Sequence, residues 1–164
     1  MRHFIEKGIC IGLILFAFSI LGCAKNVGQD NVPKIANTIQ LAAEFVTTQG
    51  LTLLHNKKPD EVPGALADLT AITSVADKYT DGKASVGDVA FTVTEALNRL
   101  NARFAVIDSE QTSLILATVN TLSRMVELYF VEAALPDEFG TYLGAFAKGV
   151  TDGKTWFMET YPSN

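Results

Sequence analysis

The chain is poor in the residues that usually carry metal, redox or acid–base chemistry. Its 164 residues include two cysteines, Cys10 and Cys23, and two histidines, His3 and His55. The part after Cys23 therefore contains no cysteine and one histidine, which excludes an internal disulfide and a zinc cluster there. The Glu-x-x-His pairs of di-iron helical bundles are missing as well.

Positive charge is also scarce. The formal net charge is −5, and residues 1–22 contribute +1 through Arg2, Lys7 and Glu6, so the remaining chain carries −6. The longest basic run is Lys57-Lys58. A chain of this charge lacks the basic surface that nucleic acids and anionic lipid surfaces attract, so we expect no nucleic-acid partner.

Long apolar runs are limited to one segment near the amino terminus. A short basic head, residues 1–8, precedes the apolar residues 9–21, and a polar stretch begins at Ala24. A secretory signal has a basic head and an apolar run of about 7–15 residues, whereas a membrane-spanning helix needs roughly 20. The pattern therefore favours a cleaved signal peptide over a membrane helix that stays attached.

The end of this segment reads Ile20-Leu21-Gly22-Cys23, which resembles the lipobox of bacterial lipoproteins. The resemblance implies cleavage after Gly22, a diacylglyceryl group on the Cys23 thiol and acylation, typically with palmitate, of the new amino terminus. Two or three acyl chains hold a protein stably on a membrane, whereas one chain does so only marginally. Ala24 implies the outer membrane, facing the periplasm, if the host is Gram-negative.

These features divide the chain into three parts: a lipoprotein signal peptide over 1–22, a lipidated tether over 23–31 and a helical domain over 32–164. The alternative interpretation is an uncleaved membrane helix in which Cys23 is unmodified. The residues after Cys23 resemble no family.

The helical domain shows apolar side chains at steps of three, four and seven residues, and no segment alternates with a period of two. The spacing predicts an all-α, five- or six-helix bundle in which short connections make neighbours antiparallel. The predicted helices run from a cap at Asp30 or Asn31 to near Asn56, from Asp60 to Asp81-Gly82, from Ser85 past Phe104, from Asp108 or Ser109 to Pro136, and from Asp137 to Asp152-Gly153. A final apolar turn, Trp156-Phe157-Met158, is expected to pack back on the bundle.

Two short strings recur in the same order. Pro59-Asp60-Glu61 matches Pro136-Asp137-Glu138, and Thr80-Asp81-Gly82-Lys83 matches Thr151-Asp152-Gly153-Lys154. One interpretation is a duplicated helix-pair unit. The other is that both strings are common ways to start and to stop a helix, and that any bundle contains them.

A twelve-residue segment, Asp77 to Asp88, has the length of a calcium-binding loop. Asp77, Asp81, Ser85 and Asp88 stand at its first, fifth, ninth and last positions, with Gly82 at the sixth, so they form a calcium candidate. Tyr79 at the third position and an aspartate in place of the usual final glutamate depart from the pattern. A helix stop followed by a capped helix start explains the same residues.

Other polar residues favour structural roles. His55 is expected to be solvated at a helix end. A Ser-His-Asp catalytic set would have to use this histidine, but the sequence lacks the strained Gly-Ser-Gly elbow that usually carries the serine. The helical carboxylates Glu44, Asp68, Glu95, Glu127 and Glu132 are expected on exposed surface. The Gly140/Gly144 spacing predicts close helix packing, and most aromatics fall on the apolar stripes, with Phe91, Phe130 and Phe157 near their edges.

We therefore expect a protein that is not an enzyme and carries no cofactor. The first hypothesis is a lipid-anchored binding or assembly module with a protein partner in the bacterial envelope, held to the membrane by its lipid. The alternative is a carrier or sensor of a small apolar ligand held between helices, which the aromatic and small residues of the fourth and fifth helices support.

Overall fold

The computed structural model describes residues 32–127 and 136–162, and it confirms the all-α prediction as a five-helix bundle. The predicted signal peptide, Cys23, the first cap residues, Tyr129, Phe130, Glu132 and Ala133 lie outside the described residues. The helices are α1 (Val32–Lys57), α2 (Val62–Thr80), α3 (Val86–Ala105), α4 (Glu110–Met125) and α5 (Pro136–Thr160), with a 3-10 turn at Pro59–Glu61 before α2.

Most predicted helix boundaries in the middle of the chain are confirmed by their capping interactions. The Ser85 hydroxyl accepts the Asp88 backbone N–H, and the Asp88 carboxylate accepts the Ser85 backbone N–H, which completes a capping box. Ser109 caps α4 by accepting the Gln111 backbone N–H. Gly82 takes φ +70°, the left-handed conformation that ends a helix such as α2.

The predicted cap at Asp60 is wrong. Residues 59–61 form the 3-10 turn, and α2 begins after Glu61 without a side-chain cap. Pro63 in the first turn of α2 accounts for the later start, because proline lacks the N–H that a cap would satisfy and its fixed φ suits that position.

The five helices close into a ring. Contacts join α1 to α5, α5 to α2, α2 to α3, α3 to α4 and α4 to α1, and α1 also contacts α2 across the ring. Glu61, just before α2, pairs with Arg103, and Asp68, further along α2, also reaches Arg99, one turn earlier on α3. The helices α2 and α3 are therefore antiparallel, as their short connection predicts. Tyr79 lies against Phe139, with ring centroids 4.8 Å apart, and Lys154 bonds Thr70, so α5 is antiparallel to α2.

A ring of five helices cannot alternate direction at every contact, and the exception is α1 with α5. Gly149 lies against Gln40 and Ala43, and Gly153 lies one turn further on against Glu44 and Thr47. Residue numbers rise together along both helices, which makes the pair parallel. The prediction that neighbours are antiparallel is therefore wrong for this pair, because α1 and α5 are distant in sequence and no short connection fixes their direction.

The predicted stop of α5 at Asp152-Gly153 is also wrong, since the helix continues to Thr160. Gly153 is buried inside the helix. A Cβ atom there would lie 2.7 Å from the Thr47 Cβ, and one at Gly149 would lie 2.2 Å from the Gln40 carbonyl oxygen. These glycines let the backbones of α1 and α5 approach closely, and they do not end the helix. The matching string Thr80–Lys83 does end a helix, whereas Thr151–Lys154 lies inside α5. These two copies of one repeated string therefore adopt different structures.

Gly140 and Gly144 do not carry the predicted close packing, because a Cβ atom at either would meet nothing within 4 Å. A third glycine is constrained on α1. A Cβ atom at Gly50 would lie 2.5 Å from the Phe104 ring, which crosses from α3 to fill the centre of the bundle. The buried core contains most of the predicted stripes, including Ile39, Leu54, Ile72, Val93, Leu97, Ile115, Val119, Phe139 and Phe146.

Alanine substitution should distinguish the α5 glycines that lie against α1 from the α5 glycines that have no neighbour where a Cβ atom would be. Gly149→Ala and Gly153→Ala should each lower the free energy of unfolding by about 1–3 kcal/mol, since the added methyl group overlaps α1. Gly140→Ala and Gly144→Ala are matched controls in the same helix, and they should be neutral or stabilising by up to about 1 kcal/mol. Urea unfolding followed by circular dichroism measures all four; equal effects at both pairs would contradict the packing.

Candidate functional site

The densest group of charges lies between α2 and α3. The Asp68 side chain projects from α2 and is 6% exposed, and it accepts hydrogen bonds from Arg103 Nε at 3.2 Å and from Arg99 Nη1 at 3.5 Å. Because α2 and α3 are antiparallel, Arg99 and Arg103, one turn apart on α3, reach the same carboxylate. We call Glu61, Asp68, Glu95, Arg99 and Arg103 the interhelical charge cluster.

The outer members of the cluster complete its pairing. Arg103 also binds Glu61, and Arg99 Nη2 lies 3.6 Å from a Glu95 carboxylate oxygen. The Arg103 guanidinium rests on α2 at Gly64, where a Cβ atom would lie 2.6 Å from it. Each charge in the cluster thus has a partner of opposite sign, so the arrangement joins two helices and presents no unpaired group for a ligand.

The prediction that Asp68 lies on exposed surface is wrong. Asp68 follows Ala65 by three residues and precedes Ile72 by four, and both of those residues are buried. This spacing places Asp68 on the inner face of α2. The spacing of buried residues along α2 was therefore enough to predict that Asp68 is buried. The two arginines one turn apart on the next helix, Arg99 and Arg103, were the signal for its partners.

Removing the buried charge should weaken the bundle. Asp68→Asn should lower the free energy of unfolding by about 2 kcal/mol, since hydrogen bonds to charged groups contribute roughly 1.5–3 kcal/mol each and the arginines remain partly solvated. Asp77→Asn, an exposed change on the same helix, should shift it by less than about 0.5 kcal/mol. Chemical denaturation of both variants provides the comparison, and a similar shift in the two would remove the role assigned to Asp68.

The structure brings together two of the four residues of the calcium candidate. Ser85 and Asp88 form the capping box, whereas Asp77 is exposed in the last turn of α2 and the Asp81 carboxylate lies 2.8 Å from Lys83 Nζ. Within residues 32–127 and 136–162, no group of three or more His, Cys, Asp or Glu side chains is placed to hold a metal ion. The helix stop and capped start account for the segment.

The capping box makes stability depend on pH. Hydrogen bonds from the Ser85 hydroxyl and then from its backbone N–H lower the pKa of Asp88 below 3.8. A carboxyl whose pKa falls on folding stabilises the folded state above its unfolded pKa, and this contribution disappears as the pH drops through the folded pKa.

Asp88→Asn should therefore be less stable than the wild type at pH 7, and the difference should shrink once the pH falls below about 3.8. Thermal unfolding measured from pH 7 to pH 2.5 provides this comparison. Ser85→Ala removes the principal hydrogen bond to the carboxylate together with the hydroxyl cap, so its deficit should also shrink below about pH 3.8 but should not vanish, because the cap does not titrate. A difference that stays constant down to pH 2.5 would show that the Asp88 charge does not matter.

His55 lies where it was predicted, exposed in the last turn of α1, but it has aromatic neighbours. Its ring stacks on Tyr161 with centroids 4.4 Å apart and meets the edge of Phe157 at 6.0 Å. Phe157 lies in the last turn of α5, which runs beside α1, and Tyr161 directly follows that helix. The contact joins the carboxyl ends of the parallel pair and leaves His55 without a serine or carboxylate partner for catalysis in the described structure.

The remaining candidate carboxylates stay apart from one another. Glu44 is partly buried beside the α1–α5 contact, Glu95 belongs to the charge cluster and Glu127 is exposed. On α5, burial lowers the pKa of Lys154, whose Nζ donates to the Thr70 hydroxyl at 2.7 Å. This lysine joins α5 to α2 and has a structural role.

Most aromatic side chains lie in the core. Phe104, Phe139, Tyr142 and Phe146 are among the largest fully buried side chains. Phe157, which was expected near a stripe edge, is also buried, since it faces α1. Its neighbours Trp156 and Met158 are 44% and 50% exposed, so the final apolar segment packs through Phe157 alone.

Exposed apolar side chains occur near both ends of the ring. We call the end that contains Val32, the α2–α3 turn and Pro136 the near end, since the sequence before Val32 joins it there. The near end carries Val86 and Phe91, and Phe91 is 70% exposed. The far end carries Trp156, Met158 and Val106, which is 67% exposed. Single exposed apolar residues are common, but aromatic ones often mark contacts.

No protein-family model, curated protein or solved structure matches this chain. In the described part of the chain, no helix is both long enough and apolar enough to cross a bilayer.

Proposed function

We propose that this chain is a lipid-anchored, extracytoplasmic module of the bacterial envelope that binds another protein and catalyses no reaction. The anchor rests on the leader and on the lipobox-like sequence that ends at Cys23. Only the short polar stretch 24–31 separates this cysteine from α1, which begins at Val32. An anchored Cys23 would therefore hold the near end of the bundle toward the membrane, facing the periplasm in a Gram-negative host.

The observation that carries the binding role is the exposure of Trp156, Met158 and Val106 at the far end. Trp156 follows the first residue of α5 by 20 residues, a rise of about 30 Å along the helix. In an anchored protein this end would point away from the bilayer, where a second envelope protein can reach it. Tryptophan and methionine are enriched in the centres of protein interfaces.

The positions of the aromatic side chains of α5 favour a binding module over a carrier of an apolar ligand. The carrier hypothesis drew on the aromatics of the fifth helix, and Phe139, Tyr142 and Phe146 are each at most 2% exposed within the core. These side chains pack against other helices, so their surface is already covered by protein. The exposed large apolar side chains lie outside the core, and all but Leu41 of α1 are near the ends of the bundle.

The anchor can be tested in bacterial cells that make the full chain in the presence of a clickable palmitate analogue. The wild type and Cys10→Ala should both take up label, since Cys10 lies within the predicted signal peptide. Cys23→Ala should lose it. Label that persists in Cys23→Ala would contradict the proposed anchor, and loss in Cys10→Ala as well would indicate a defect in export rather than in acylation.

The binding role can be tested in the same cells with a photoreactive phenylalanine analogue at Trp156. We expect a cross-linked product that is absent when the analogue replaces Gln49, an exposed residue of α1 at the same height along the parallel pair. Equal cross-linking at both positions would indicate random collision, and no product at Trp156 would contradict a binding surface at the far end.

A further inference from the structure

The near end carries an aromatic side chain that the bundle does not use. Phe91 is the most exposed of the large apolar side chains in the described chain, at 70%, and Val86 on the same helix is 39% exposed. Both lie in the first two turns of α3, whose core face is formed by Val89 and Val93. Packing within the bundle therefore does not account for Phe91.

The topology brings Phe91 to the same end as Val32. The α1–α5 pair is parallel, α5 is antiparallel to α2, and α2 is antiparallel to α3, so α1 and α3 begin at the same end. Phe91 lies five residues into α3, about 7.5 Å along the axis. Side chains on a helix lean toward its amino end, which directs the ring further toward the near end.

The connection between Cys23 and this end is short. Nine residue steps separate Cys23 from Val32, and a chain of that length spans at most about 30 Å when fully extended. We infer that the near end rests on the bilayer surface, with the Phe91 ring inserted at the level of the lipid headgroups and Val86 beside it. This inference rests on the proposed anchor at Cys23, because the anchor supplies the high local concentration that one aromatic contact needs.

The charges around Phe91 are compatible with an apolar contact. Asp88 and Glu95 lie three and four residues from it on the same side of α3, but Asp88 is held by Ser85 and Glu95 faces Arg99. The Asp81 carboxylate in the preceding turn is paired with Lys83. The two ion pairs cancel, but Ser85 does not neutralise Asp88, so about one negative charge remains beside Phe91. No basic patch is involved, so the contact should occur on neutral phosphatidylcholine and should change little with salt.

Tryptophan fluorescence can test this orientation, because Trp156 is the only tryptophan and lies at the far end. The wild type reports on position 156, and the full chain with Phe91→Trp and Trp156→Phe reports on position 91. Each protein is made in bacterial cells, checked by mass spectrometry for acylation at Cys23 and reconstituted into phosphatidylcholine vesicles whose acyl chains carry bromine near the headgroup.

We expect bromine to quench most of the emission of the tryptophan at 91, with a blue-shifted maximum that persists at high salt, and to leave Trp156 unquenched. Equal quenching at the two positions, or none at 91 in an acylated protein, would overturn the inferred orientation. If Cys23 is found without acyl chains, the proposed anchor fails instead. The Cys10→Ser form of each protein, coupled through Cys23 to a maleimide phospholipid, then gives the same two outcomes for the orientation.

Discussion

The close approach of the α1 and α5 backbones is the contact on which the rest of the bundle depends. Five helices in a closed ring must place one neighbouring pair in parallel, and this pair gains nothing from a short connecting turn. Parallel helices also bring like ends of their dipoles together, which is unfavourable. Gly149 and Gly153 offset these costs by removing side chains from the contact, so that α5 packs directly against Gln40, Glu44 and Thr47 of α1.

The parallel pair also determines what lies at each end of the molecule. At the far end, α1 supplies Lys57 in its last turn while α5 has no basic residue there, so this one cation lies at the carboxyl end of the parallel pair. The near end holds the beginnings of α1, α3 and α5. A lipid at Cys23 would therefore orient the whole bundle through one helix, with Phe91 toward the bilayer and Trp156 away from it.

Local signals in the sequence predicted the helices well. The spacing of apolar residues located all five, and Ser85, Ser109 and Gly82 marked boundaries that the structure confirms. Apart from the Asp60 cap, where the cause is local, the failures involve partners distant along the chain. Asp152-Gly153 reads as a helix stop until α1 is placed beside it. The spacing of α2 puts Asp68 on the inner face, but it does not show that Arg99 and Arg103 of α3 bind its carboxylate.

The functional part of the prediction depends on different information. The lipobox-like sequence at Cys23 is recognisable because processing enzymes act on a short linear motif, so it does not need the fold. A binding surface has no such motif. Phe91 and Trp156 could be named as aromatics from the sequence, but only the ring and the direction of each helix assign them to opposite ends and so give them separate proposed roles.

The parallel direction of α1 and α5 can be measured with pairs of spin labels in a Cys10→Ser, Cys23→Ser chain. Labels at Lys34 and Glu138 lie at the same end of a parallel pair. Double electron–electron resonance should then give a label separation below about 20 Å, since the axes of packed helices are about 8–10 Å apart. Labels at Lys34 and Glu159 should lie more than about 25 Å apart, since Lys34 is level with about residue 141 of α5 and the rise from there to Glu159 is about 27 Å. The reverse result, with Lys34 close to Glu159, would show that the pair is antiparallel and would contradict this account of the fold.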